Sequence, residues 1–263
     1  MSSYQFLDVS ITDQIARITL NRPDAANSFH IPMAQELMRA AIACDENTAL
    51  RAVIITGNGK LFCAGGDIAS FASAAEGIGA YVKEITSYLH AAVSRFTRMN
   101  APVIVAVNGA AAGAGFSLAA SGDLVIAAES AKFTMAYTGI GASPDGSASY
   151  FLPRLIGLRR TQELMLTNRR LTAKEAYEWG LVTQVVADDQ LIATAEALAK
   201  QMANGPTQAY GSIKRLLQTT YGNGLETQME LETRSIADNL NTLDGKEGVG
   251  AFLGKRAPVF TGK

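Results

Sequence analysis

The chain has 263 residues, of which 48% are hydrophobic and 18% charged, with a formal net charge of −1. That length fits one large domain, or a core with a smaller appendage, and without a basic excess there is no electrostatic grip on nucleic acid or an anionic membrane. Cys44 and Cys63 lie far from any histidine or second cysteine at metal-ligand spacing, which argues against a disulfide framework and for a reducing compartment.

The N-terminal segment MSSYQFLDVSITD carries acids early and has no long apolar core, so neither a secretory signal nor an anchor is expected, and the expected location is cytoplasmic. Residues 14–20 (QIARITL) read as a strand ended by Asn21-Arg22-Pro23. After the loop RPDAANS, Ser28 is the expected N-cap of a helix over 31–43, where Met33, Leu37 and Ala41 recur at helical spacing. Residues 51–56 (RAVIIT) form a second buried strand, stopped by Gly57-Asn58-Gly59. The loop LFCAGGDI, residues 61–68, leads toward a helical segment, and 71–79 carry no strong signal and read as mobile. An amphipathic helix spans 81–99, with Tyr81, Ile85, Leu89, Val93 and Phe96 on one stripe. Strands follow at 103–107, 123–127 and 132–137, then a polar loop over 139–149. Thr172 and Glu175 make a capping box for a short helix ending at Trp179-Gly180. A last strand is expected at 181–186, then helices over 190–203, 206–220, 225–241 and 245–253. Alternating strands and helices argue an α/β class, with a boundary near residue 188.

Residues 103–120, VIVAVNGAAAGAGFSLAA, are the stretch the rest is organised around. Gly113-Ala114-Gly115 opens a helix that runs from Phe116, and its first side chains are too small to block a ligand. Amides at such a helix start can hold negative charge as it develops on an oxygen, the requirement of an oxyanion hole. The same small residues equally serve close packing of helix on strand. A dinucleotide loop fails at Leu118, where its third glycine should stand. Gly115-Phe-Ser117-Leu-Ala119 approaches a nucleophile elbow, yet both histidines, His30 and His90, precede it, so a hydrolase triad in that order is excluded. His30 reads as structural. His90, beside the apolar stripe, is open to a structural or a catalytic role. Asp145, in Ser-Pro-Asp-Gly, is open to a plain turn or a catalytic role.

The motifs CAGGDI, PVIVAVNGAAAGAG and WGLV resemble the crotonase family, also called the enoyl-CoA hydratase/isomerase family. The resemblance runs from QIARITLNRPDAANS to the closing GVGAFLGKRAPVFTGK. It implies a core of stacked β-β-α turns forming a spiral over residues 1–188. A helical C-terminal region over 189–263 would build trimers, often paired into hexamers. It implies acyl-CoA thioesters as substrates, with coenzyme A as part of the substrate, no separate cofactor and no metal. By motif position, the amides of Gly66 and Ala114 form the oxyanion hole; the second position is usually glycine, and alanine keeps its N–H. Asp24, Ala25 and Ala26, with Ala64, Gly65, Gly66, Asp67 and Ile68, match segments that hold the coenzyme A moiety, largely through backbone groups.

Departures from the family pattern set the expected reaction. Hydratases of this family use two glutamates where this chain has Ser117 and Tyr137, and adding water needs one group to activate it and another to manage the proton. Asp145 stands where members resembling the epoxyphenylacetyl-CoA isomerases place one catalytic aspartate. Double-bond migration needs a single base, so the expectation is an isomerase with Asp145 as base and with Tyr137 and His90 shaping the pocket. The 4-chlorobenzoyl-CoA dehalogenases share the aspartate, there a nucleophile, and a histidine at the position of His90 that activates water. Their aromatic pocket lining is here Val82, Leu89 and Gly66, with Tyr137 and Tyr88 kept. A binder that has lost the chemistry is the contrasting class.

Overall fold

The computed structural model describes residues 4–263. It opens with a hairpin of β1 (Leu7–Thr12) and β2 (Ile15–Leu20), turned by Asp13 and Gln14, both in left-handed backbone as a tight hairpin turn requires. β1 is additional to the strands expected, although Leu7, Val9 and Ile11 alternate with Asp8, Ser10 and Thr12 as a strand should. The chain continues through α1 (Ile31–Glu46), β3 (Ala52–Gly57), α2 (Ile68–Ser73), α3 (Ile78–Arg98), β4 (Val103–Val107), β5 (Ala110–Ala112) and α4 (Ala114–Ala120). Next come β6 (Leu124–Ala128), β7 (Lys132–Thr134), α5 (Ala148–Ile156), α6 (Leu158–Thr167), β8 (Leu171–Thr172), α7 (Ala173–Glu178) and β9 (Gln184–Val186). The helices α8 (Leu191–Ala203), α9 (Thr207–Thr219), α10 (Leu225–Asn241) and α11 (Leu243–Leu253) complete it.

Among the described residues two sheets form, in the orders β1-β2-β3-β4-β6-β9 and β5-β7-β8. From β2 to β9 the large sheet is parallel. Each turn of the chain lays one strand in the large sheet and then a short extended piece beside the small one. After β2 that piece is Phe29, bridged to Gly66; after β3 it is Cys63, bridged to Ala111; after β4 it is β5, and after β6 it is β7. This is the expected β-β-α spiral.

β4 shows why the central strands are continuously apolar. Val103, Val105 and Val107 face a core that includes Leu37, Leu89 and Phe116, whereas Ile104 and Ala106 face Leu191, Ala195 and Ala199 of α8. Both faces are buried, so the pattern does not alternate. On the stripe expected along α3, Ile85, Leu89, Ala92, Val93 and Phe96 are buried. The Thr172–Glu175 capping box is present in full.

Several expectations are corrected. Ser28 does not cap α1: its hydroxyl donates to the carbonyl of Ala25, and His30, in extended backbone, takes the cap position two residues later. Residues 71–79 are helical, shared between α2, a 3-10 turn over Ala75–Gly77 and the start of α3. Asp67 caps α2 through its side chain and nucleates what looked signal-free. The strand expected over 132–137 stops at Thr134, because Ala136 turns left-handed (φ 57°) and starts a 3-10 turn, Tyr137–Ile140. α4 begins at Ala114, two residues earlier than expected, and α5 and α6 are additional elements. No helix among the described residues is long and apolar enough to cross a membrane.

Candidate active site

The site is built where the loop after β3 meets the start of α4. Phe29 bonds both neighbours of Gly66, its N–H donating to the Gly65 carbonyl (2.7 Å) and its carbonyl accepting from Asp67 N–H (2.8 Å). In parallel pairing, that pattern turns the N–H of Gly66 itself away from Phe29. Among the described residues neither this amide nor that of Ala114, the first residue of α4, has a backbone acceptor. Gly65 brings the two together. It has φ +95°, and a Cβ there would stand 2.8 Å from the Ala112 carbonyl and 3.2 Å from the Ala114 nitrogen, so only glycine permits the approach.

Beneath this loop Cys63 is fully buried, and its thiol donates to the Asn27 carbonyl at 3.0 Å. Burial pushes that thiol up to about 12, so it is an uncharged spacer at neutral pH. The segments matched to coenzyme A binding adjoin one another, with Ala64 N–H donating to the Ala26 carbonyl at 3.0 Å. Asp24, Ala64 and Ile68 are exposed along this edge. Asp67 is otherwise engaged: its carboxylate pairs with Arg22 at 2.7 Å and accepts from Ala69 and Ser70 at the start of α2. Burial works to raise this carboxyl, but Arg22 and the helix amides prevail and hold it below the ordinary range.

On the other side of α4's first turn lies a polar cluster. Gly113 packs near the ring of Tyr137, 3.9 Å from a Cβ built on the glycine. The Tyr137 hydroxyl donates to Asp145 Oδ1 at 2.5 Å and lies 3.2 Å from the hydroxyl of Ser117, which is fully buried. Burial, and then the negative charge of Asp145, push the Tyr137 phenol far above its ordinary value, so it acts as a neutral donor. His90 Nε2 is 3.6 Å from Asp145 Oδ2, and it accepts a hydrogen bond from Gly146 N–H at 3.1 Å. That acceptance uses the Nε2 lone pair, so while the bond to Gly146 is made Nε2 has no proton to donate to Asp145. The supporting loop is strained at both ends: Ala136 (φ 57°) precedes Tyr137, and Ser147 (φ 78°) follows Gly146.

Tyr137, Asp145 and His90 are thus brought together, and the Tyr137 ring lies beside Gly113, which Gly65 approaches from the other loop. The Ser117 hydroxyl is also a hydrogen-bond neighbour of Tyr137. The two positions that the family resemblance sets against hydratase glutamates are therefore in contact here as two hydroxyls. The Gly146 amide on His90 had no sequence signal, because any residue but proline supplies an N–H.

Residues 10–263 match the family model described as enoyl-CoA hydratase/isomerase. The chain is 39% identical to 1,2-epoxyphenylacetyl-CoA isomerase of Escherichia coli K12, over 98% of this chain and 99% of that protein. It is 31% identical to 4-chlorobenzoyl coenzyme A dehalogenase-2 of an Arthrobacter species, over 97% and 92%. The crystal structure of an enoyl-CoA hydratase from Polaromonas sp. JS666 superposes with a TM-score of 0.92 at 33% identity, covering 97% of this chain and 99% of that one.

Proposed function

The chain belongs to the enoyl-CoA hydratase/isomerase family, and from that premise we propose that it shifts a carbon–carbon double bond within an acyl-CoA thioester. In this reading Asp145 is the single proton carrier, and the amides of Gly66 and Ala114 hold the thioester oxygen. The observation that carries it is the setting of Asp145. One carboxylate oxygen is fixed by Tyr137, and the other accepts no hydrogen bond among the described residues.

The chemistry balances with one carboxylate. Asp145 takes a proton from the carbon next to the thioester of a 3-enoyl chain. The electron pair of that C–H bond moves through the carbonyl onto oxygen, and the two amides stabilise the resulting dienolate. The same carboxyl returns the proton at the far end of the conjugated system as the oxyanion electrons flow back. One C–H bond breaks and one forms. Water addition needs a second acid–base group, and the two glutamate positions hold the neutral hydroxyls of Ser117 and Tyr137. In this reading coenzyme A lies along 24–26 and 64–68, where Asp24, Ala64 and Ile68 are exposed.

Dehalogenase-like hydrolysis draws support from the nearness of His90 to Asp145. In that chemistry His90 activates water, but its Nε2 lone pair already accepts from Gly146, so the base role requires breaking that bond. Isomerisation needs no such change. The exposed apolar residues of α9 to α11, among them Ile213, Met229, Ile236 and Phe252, support a homotrimer, alone or paired into a hexamer.

A panel of thioesters tests the reading: 3-enoyl-, 2-enoyl- and 4-chlorobenzoyl-CoA. Conversion of 3-enoyl to 2-enoyl without hydration is expected. Chloride release would favour the dehalogenase, and flat traces with retained binding would favour a catalytically silent binder.

A further inference from the structure

A cavity of about 430 Å³ adjoins the carboxylate centre and shares His90 and Gly146 with it. It follows the C-terminal half of α3 past Ser94 and Thr97 to Arg98, with Phe151 of α5 and Gln218 of α9 opposite. His90, Ser94 and Thr97 recur four and seven residues on, so they share one helix face, and two turns of about 11 Å separate His90 from Thr97. The volume lies within the range of small-molecule pockets. The His90 side chain is half exposed, and a chain passing its edge would enter this groove directly from Asp145.

The far end of the groove is polar, and two of its side chains are tied to carbonyls of α3. Gln218 Nε2 donates to the Thr97 carbonyl, and Thr97 Oγ1 donates to the Ser94 carbonyl. Neighbouring arginines have partners: Arg95 pairs with Asp45 at 3.1 Å, Arg154 lies over the Tyr150 ring, and Arg215 donates to Asn100. Arg98 is exposed and has neither an ion pair nor a hydrogen bond to its side chain among the described residues. A free guanidinium presents a planar fork of donors that matches a carboxylate.

We infer that this groove is the subsite for the distal end of the acyl group, and that Arg98 selects chains ending in a carboxylate. The substrate class is then the mono-CoA thioester of an unsaturated dicarboxylic acid. The inference rests on the acyl-CoA reading above. Phe151 and the buried Val93 accept the apolar middle of such a chain, and Arg98 receives its charged end.

The test measures binding rather than turnover, using saturated thioesters that cannot isomerise. The full-length protein is titrated calorimetrically with octanoyl-CoA and with the CoA monothioester of suberic acid, which has the same chain length and a terminal carboxylate. The suberyl thioester is expected to bind about five- to tenfold tighter, a modest factor because Arg98 is open to solvent. Arg98→Gln should abolish that preference and leave octanoyl-CoA affinity unchanged. Equal affinities in the wild type, or a preference that survives Arg98→Gln, overturn the subsite. Binding of neither thioester overturns the acyl-CoA reading itself, and the subsite with it.

Discussion

The hydroxyl of Tyr137 lies 2.5 Å from Oδ1 of Asp145 and donates to it. Through this bond a residue at one of the family's glutamate positions becomes the support of a carboxylate eight residues away. Tyr137 is held in turn by the left-handed Ala136 and by the buried Ser117 hydroxyl. The phenol stays protonated, so it aims Asp145 without competing for its proton.

Replacing that donor should misdirect the proposed base without emptying the pocket. A hydrogen bond to a charged group contributes about 1.5–3 kcal/mol, so Tyr137→Phe should lower kcat by about ten- to a hundredfold. KM should change little, because the ring remains. Steady-state rates on 3-enoyl-CoA check this, and an unchanged kcat would assign the aim of Asp145 to other contacts.

The proposed oxyanion hole can be probed by deleting one donor. Ala114 is the first residue of α4, after a Gly113 cap, and proline is well tolerated at that helical position. Ala114→Pro removes the N–H and keeps the helix. By analogy with loss of one oxyanion-hole donor, kcat should fall by about a hundred- to a thousandfold. Circular dichroism should be unchanged, and normal turnover would place the thioester oxygen elsewhere.

Much of this arrangement was legible in the sequence, and what was hidden has physical causes. β4 was legible because a β-branched run between breakers has few other uses. The cap of α7 was legible because Thr172 and Glu175 satisfy each other's backbone groups at fixed spacing. β5 was not: three alanines carry little strand preference, and their pairing with β7 holds them extended. α5 was hidden by an internal Pro153 and by a left-handed Ser147 at its start. At the site, Asp145 stood out once the glutamates were missing. Its tie to Ser117 through Tyr137, and the Gly146 bond to His90, join residues distant in sequence, and no local pattern marks them.

His30 gives the fold an acid-sensitive element beside the Arg22–Asp67 pair. Its ring meets Phe6 edge-on at 4.4 Å, and its Nδ1 is buried without a hydrogen-bond partner among the described residues. Burial, and then the charge of Arg22, lower its pKa below the ordinary value, although Asp67 and Glu36 pull the other way. The unfolded chain therefore binds more protons than the folded one in the window below about pH 6.5, and stability rises with pH across it. The stabilisation is present above that window and is lost as pH falls through the lowered pKa. Thermal unfolding between about pH 7.5 and pH 5 should show this loss, and His30→Gln should flatten it.

The most direct measurement pairs turnover with binding in Asp145→Ala. General-base catalysis typically contributes about a hundred- to ten-thousandfold, and the variant should lose isomerisation of 3-enoyl-CoA by that order while binding a saturated acyl-CoA as the wild type does. Turnover of 3-enoyl-CoA at the wild-type rate would contradict the assignment of Asp145 as the proton carrier.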